Sequence, residues 1–166
     1  MVSHSANSLI TRLEMMPHPE GGFYREIMPG EEALIPWHLH KLPEECALVY
    51  FLLEGGDFFP FHFLPCEETW HLYWGGPFEF HIINQHGEYR FFPLAHDQGA
   101  GHSPRLRTFV NQHKAIRLAP SAKWGLTVCV RPPHHEFASI EPTPRGDLIL
   151  SYPHCERIIR QLTRDI

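Results

Sequence analysis

Residues 54–76 read Glu54-Gly55-Gly56-Asp57-Phe58-Phe59-Pro60-Phe61-His62-Phe63-Leu64-Pro65-Cys66-Glu67-Glu68-Thr69-Trp70-His71-Leu72-Tyr73-Trp74-Gly75-Gly76, and this stretch decides the fold. A glycine pair stands near each end, where a strand gives way to a turn. Between them, Pro60 to Leu64 and Thr69 to Trp74 read as two strands. The spacing Gly56-x5-His62-x-Leu64-x3-Glu68-x6-Gly75 puts one imidazole and one carboxylate on this pair, with an apolar Leu64 between them. On a regular strand Glu68 shares a face with Trp70, Leu72 and Trp74, while His71 points the other way.

The same texture continues outward. Strands are expected at Phe23 to Met28, Ala47 to Leu53, Phe78 to Ile83, Tyr89 to Pro93, Thr108 to Val110, Ala115 to Leu118 and Leu126 to Val130. Asn84 to Gly87 supplies a hairpin turn, and the glycine-rich, polar segment Ala95 to Arg105 reads as a loop. Leu9, Ile10 and Leu13 lie at helical spacing within Ser8 to Met15, with Asn7 or Ser8 as cap and Pro17 and Pro19 as stop. The tail from Pro153 is helical again, with Ile158, Ile159 and Leu162 as its apolar stripe. The chain therefore reads as one domain over 1–166. Residues 1–22 carry a helix and a glycine turn, 23–140 a rolled sheet, and 153–166 a closing helix. Many short strands with a helix at each end point to an all-β sandwich or barrel.

Composition narrows the function classes. A chain of 166 residues that is 43% hydrophobic, with 12 Phe, can bury a core and is not disordered. The net charge of -5 gives no reason to expect a nucleic-acid or anionic-membrane partner. No apolar run of about 18 residues predicts a membrane span, and Met1 to Leu13 lacks the pattern of a secretion signal. Cys46, Cys66, Cys129 and Cys155 form no C-x-x-C pair, which suits buried thiols in a reducing cytoplasm.

The spacing from Gly56 to Gly75 resembles the first motif of the cupin superfamily, G-x5-H-x-H-x3-E-x6-G, with the second histidine replaced by Leu64. Three further segments resemble the cupin-5 family, long carried as a domain of unknown function. They are Pro17-His18-Pro19-Glu20-Gly21-Gly22-Phe23-Tyr24-Arg25-Glu26, Ala47-Leu48-Val49-Tyr50-Phe51-Leu52-Leu53, and Phe61-His62-Phe63 with Glu67-Glu68-Thr69-Trp70-His71. The second superfamily motif, G-x5-P-x-G-x2-H-x3-N, is eroded: Asn111 stands where proline belongs, His113 where glycine belongs and Ile116 where the ligand histidine belongs. The resemblance implies a jelly-roll β-barrel, or double-stranded β-helix, with short terminal helices and a polar, aromatic cavity. It also implies a homodimer and a shape like that of the metal-free dTDP-4-dehydrorhamnose epimerases.

Candidate site residues follow. A cupin metal centre needs three or four converging N and O ligands, and only His62 and Glu68 remain. His71, His81 and His113 are the nearest replacements by sequence. No metal or other cofactor is expected from so incomplete a set. Without metal, His62 can act as a base oriented by Glu68, with Tyr73 or Tyr24 as acid. The plainer alternative is a buried polar pair tying two strands together. Trp70 can wall a cavity or simply fill a core. Glu20, Tyr24, Phe51 and His81 complete the expected ligand-binding set. Three functions are consistent with these residues: a metal-independent sugar or nucleotide-sugar isomerase, a non-catalytic metabolite-binding module, and a metal cupin with recruited histidines.

Overall fold

The apolar and alternating runs between Met16 and Arg131 fold into two antiparallel sheets packed face to face. The computed structural model describes residues 5–29, 31, 46–96 and 102–164. Its strands are β1 (Met16–Pro17), β2 (Phe23–Ile27), β3 (Ala47–Glu54), β4 (Phe58–Phe63), β5 (Glu68–Gly75), β6 (Phe78–Ile83), β7 (Tyr89–Leu94), β8 (Arg105–Thr108), β9 (His113–Leu118) and β10 (Trp124–Arg131). The six-stranded sheet runs β1-β2-β3-β10-β5-β8 and the four-stranded sheet β4-β9-β6-β7. Together they make the jelly roll expected from the sequence.

Strand alternation sorts side chains into three layers. Phe51, Phe59, Trp70, Leu72, Phe78, Phe80, Ile116 and Cys129 meet between the sheets. The outer face of the six-stranded sheet buries Leu48, Tyr50, Leu52, Leu126 and Val128 under helix α1 (Ala6–Arg12) through Leu9. The outer face of the other sheet buries Phe61, Ile83 and Ala115 under helices α2 (Arg145–Ser151) and α3 (Glu156–Gln161), which contribute Leu148 and Ile159. Each side chain so covered contributes about 1.5–3 kcal/mol. Among the described residues no helix is long and apolar enough to cross a membrane.

Several elements differ from expectation, each for a local reason. Helix α1 is capped by Ser5, not Asn7 or Ser8. Ser5 Oγ accepts the Ser8 N–H, and Ser8 Oγ accepts the Ser5 N–H, a reciprocal capping box. Strand β8 covers Arg105–Thr108, earlier than the expected Thr108 to Val110, because Leu106 and Thr108 pair with Trp70 and Glu68 of β5. Of the expected loop at 95–105, residues 97–101 lie outside the described residues. Helix α2 precedes the expected C-terminal helix. That tail is itself a 3-10 turn, Pro153–Cys155, followed by α3. Finally, the β5–β10 register slips between Leu126 and Thr127. The slip is a bulge that moves Trp74 off the Glu68 face, so it packs with Tyr73 on the α1 side.

Candidate functional site

The space between the sheets has an apolar end and a polar end. Strands β5 and β10 run antiparallel, so Gly75 meets Gly125 at one end and Thr69 meets Val130 at the other. Leu53, Leu72, Phe78 and Leu118 fill the first end. Glu68, on β5 opposite Thr108, and Arg131, at the end of β10, bring charge into the second. Across the gap, β4 and β9 place His62 beside Lys114. Lys114 is on the inward phase with Ile116 and Leu118, whereas His113, Ala115 and Arg117 face out.

Glu68 organises this end. Its Oε1 accepts hydrogen bonds from the Lys114 ammonium, the Trp70 indole N–H (3.1 Å) and the Thr108 hydroxyl (3.3 Å). Its Oε2 stands 3.4 Å from Arg131 Nη2, an ionic contact without hydrogen-bond geometry. Burial alone would raise the carboxyl, but Lys114 and Arg131 outweigh it and hold it down at about 2. Lys114 Nζ also lies 4.3 Å from the Trp70 ring centroid, a cation–π contact.

His62 is fixed in one tautomer. The Pro60 carbonyl can only accept, so Nδ1 carries the proton across their 3.0 Å contact. Nε2 is then a lone pair, and it has no hydrogen-bond partner among the described residues. Burial and the Lys114 cation push the imidazole down to about 3, although the Pro60 carbonyl and Glu68 pull the other way. Arg131 donates through Nη2 to Cys66 Sγ at 3.5 Å, while its Nε and Nη1 lack partners among the described residues. The guanidinium lies 5.4 Å from the Phe137 ring. Phe137 packs against the rest of the aromatic core and is clamped in place. Its N–H donates to Glu26 (2.6 Å), and its carbonyl accepts from His18 Nε2–H (2.7 Å). Outside Arg131 opens a cleft of about 430 Å³, lined also by Phe63, Pro65, His134, Glu136, Ser139 and Ile140.

Of the residues expected in the site, the fold brings His62, Glu68 and Trp70 together at this end. Phe51 and Tyr24 belong to the adjoining interior cluster, where each packs on Phe137. The others do not converge. Tyr73 sits on the outer face under α1. Glu20 lines a separate crevice of about 140 Å³ beside Arg145 and Arg164. His81 is on the outer face of the four-stranded sheet, bonded to Glu79 (2.9 Å) and the Tyr89 hydroxyl (2.6 Å). His113 packs outside against Phe63 and Tyr152. His71 pairs with Val128 of the outer layer. Strand alternation accounts for the placements of Tyr73, His81, His113 and His71, while Glu20 stands in the turn between β1 and β2. Consequently no three His, Cys, Asp or Glu side chains converge among the described residues. Lys114 and Arg131 were missed. The signal was a cation in the inward phase of each strand: Lys114 two residues before Ile116, and Arg131 two after Cys129.

The buried imidazole predicts acid sensitivity. An unfolded His62 takes up a proton below about 6.5, whereas the folded one resists until about 3. Within that window the unfolded chain binds more protons, so stability falls with pH, by about 1.4 kcal/mol per unit from this group. Glu68 adds the same sign lower down, between its ordinary 4.5 and its folded value of about 2. His18, His81 and His113 are also lowered by burial and contribute in the same direction. Urea unfolding of His62→Gln should therefore show a shallower loss of stability between pH 6.5 and 4.5 than the wild type. Parallel curves would contradict a neutral buried imidazole.

With this geometry in hand, comparison with known proteins gives consistent results. A family described as the cupin superfamily (DUF985), Cupin_5, matches residues 7–142. The crystal structure of a protein from Shewanella oneidensis aligns over 99% of this chain and 100% of its own, with TM-score 0.83 and 26% identity. A hypothetical protein from Leishmania major aligns over 98% and 100%, with TM-score 0.82 and 22% identity. Oxalate decarboxylase from Bacillus subtilis, described with Mn(II) centers, aligns over 90% of this chain but 38% of its own, with TM-score 0.57 and 16% identity, a likeness of fold alone. No curated protein matches the sequence.

Proposed function

This chain belongs to the Cupin_5 family (DUF985) of the cupin superfamily, and we propose that it binds a small polar molecule at the polar end of its barrel, with the Lys114 ammonium in place of a metal ion. One observation carries this reading: the motif carboxylate, Glu68, is already engaged by two protein cations, Lys114 and Arg131. The donor set does not fit a divalent ion. The second histidine position is a buried Leu64, and two neighbouring cations would repel the metal. Lys114 supplies a fixed positive charge in the buried site instead. The Trp70 face is covered by Lys114, so ligand recognition falls to the polar groups and the cleft rather than to stacking on that indole.

The His62 tautomer supports a second reading, proton transfer. Its Nε2 lone pair is oriented by the Pro60 carbonyl and stands ready to accept a proton from a ligand atom next to a carbonyl. The surrounding cations make it a weak base in the free protein. Binding is therefore the primary function, and any isomerase chemistry waits on a ligand that offsets the positive field. A thermal-shift screen over sugars, nucleotides and small acids tests binding. A saturating ligand raises the melting temperature by mass action, and a chelator leaves the shift unchanged. Abolition of the shift by chelator would overturn the metal-free reading. Incubation of a bound ligand in deuterium oxide tests proton transfer. Exchange at the carbon next to the carbonyl, lost in His62→Gln, identifies the base; exchange unchanged by His62→Gln rejects it.

A further inference from the structure

The charge of the ligand is written into the same cluster, and the inference rests on the ligand-binding reading above. His62, Glu68, Lys114 and Arg131 are all more than nine-tenths buried. Lys114 and Arg131 are two cations against the single carboxylate of Glu68, with His62 neutral at ordinary pH. The polar end therefore carries one net positive charge. Arg131 has five N–H donors. The three on Nε and Nη1 have no partner among the described residues. A buried guanidinium with unmet donors is unfavourable unless something accepts from it.

We infer that the site is built for a monocarboxylate, which enters through the cleft and accepts a hydrogen bond from one of the open Arg131 donors, Nε–H or Nη1–H. A carboxylate cancels the net charge and gives an open guanidinium donor a charge-assisted bond. A neutral sugar leaves the charge uncompensated, and a dianionic phosphate overcompensates it. The rim adds a second selection. Glu136 and Glu141 line the cleft that Arg131 opens into, so a second negative group on the ligand meets like charge. His134 and His135 share that rim. The ligand class is thus a small acid with one carboxylate and an uncharged body, its tail against Phe63, Pro65 and Ile140.

Paired probes test this. Lactate and benzoate, their neutral isosteres lactamide and benzamide, the dicarboxylate malonate, inorganic phosphate and glucose are titrated calorimetrically into the wild-type protein at pH 8. At least one monocarboxylate should bind about tenfold or more tightly than its amide, and more tightly than malonate or phosphate. In nitrogen-15 spectra the Arg131 Nε–H resonance should move on saturation with the acid. Arg131→Lys keeps the charge but loses those donors, and should weaken the acid about tenfold, and by more than it weakens the matching amide. Ile140→Trp, outside the buried cluster, narrows the cleft and should weaken every probe. Should Arg131→Lys fail to fold, the acid–amide ratio and the Arg131 resonance decide the matter in the wild type. Amides binding as well as acids, tighter binding of phosphate or malonate, or an unmoved Arg131 resonance overturns the carboxylate assignment. If neutral probes alone bind and respond to Ile140→Trp, the ligand-binding reading survives without it. If no probe binds, or binding ignores Ile140→Trp, both fail.

Discussion

Glu68→Gln is expected to be the most damaging single substitution in the barrel. The amide keeps the side chain's shape but removes the negative charge facing Lys114 and Arg131, both buried. Breaking a buried ion pair from one side costs about 3–5 kcal/mol, because the remaining charge is uncompensated in a medium that solvates it poorly. For a chain of this size that corresponds to a fall in melting temperature on the order of 10 °C. The neighbouring residue is the control. Glu67 pairs with Arg107 at the surface, where both side chains are about half exposed, so Glu67→Gln should change stability by no more than about 1 kcal/mol. A double variant, Glu68→Gln with Lys114→Met, should recover part of the loss by removing one stranded cation. Equal melting temperatures for Glu67→Gln and Glu68→Gln would show that Glu68 does not hold the cluster together.

The second large effect concerns the glycine that closes the motif. Gly75 has φ +72, in the left-handed region, and a Cβ there would overlap the carbonyl oxygen of Trp124 on the paired strand. Gly75→Ala therefore combines a backbone penalty of about 1–2 kcal/mol with a clash against main chain that cannot rotate away. Gly56, which opens the motif, has φ +90 but open space where its Cβ would stand. Gly56→Ala should lose only the backbone term. Chemical denaturation of the two variants checks the ordering, with Gly75→Ala at least about 2 kcal/mol less stable than Gly56→Ala. The reverse order would contradict the close approach of β5 and β10 at Gly75.

The motif glycines show what the sequence makes legible. Their spacing marks where two strands must turn, and that alone locates β4 and β5 to within two residues of Pro60 to Leu64 and Thr69 to Trp74. Strand β6 is found at the expected Phe78–Ile83, because a run bounded by Gly-Pro and Asn-Gln-His-Gly has little freedom at either end. Local pattern fails where the decision is made between strands. The bulge that turns Trp74 outward exists only in the register against Leu126 and Thr127. Strand β8 is polar at alternate positions and follows a glycine-rich stretch, and only its pairing with β5 makes it a strand. Helix α2 lies between Pro144 and Tyr152 and contains Gly146, so its propensity is weak. It is held by burying Leu148 under the four-stranded sheet.

The site was legible in its imidazole and carboxylate and not in its cations. His62 and Glu68 stand in a recognisable spacing, whereas Lys114 and Arg131 come from strands 46 and 63 residues beyond Glu68 in sequence. Only the fold brings them to one carboxylate. Their arrival changes the chemistry expected of the pair. Glu68 makes no hydrogen bond to His62; its bonds go to Lys114, Trp70 and Thr108. The carbonyl of Pro60 orients the imidazole in its place. Tyr73, one of the two expected acids, is removed from the site by the alternation that keeps Glu68 and Trp70 inside.

We propose that the Lys114 ammonium takes the place of a metal ion, and metal analysis of untagged protein tests this most directly. After equilibration with manganese, zinc, iron(II) or nickel and removal of the excess, wild-type protein should carry well under one equivalent of any of them, with no difference between it and His62→Gln. One equivalent of a tightly held divalent ion, lost on His62→Gln or Glu68→Gln while the variant stays folded, would mean that Lys114 yields its place to a metal.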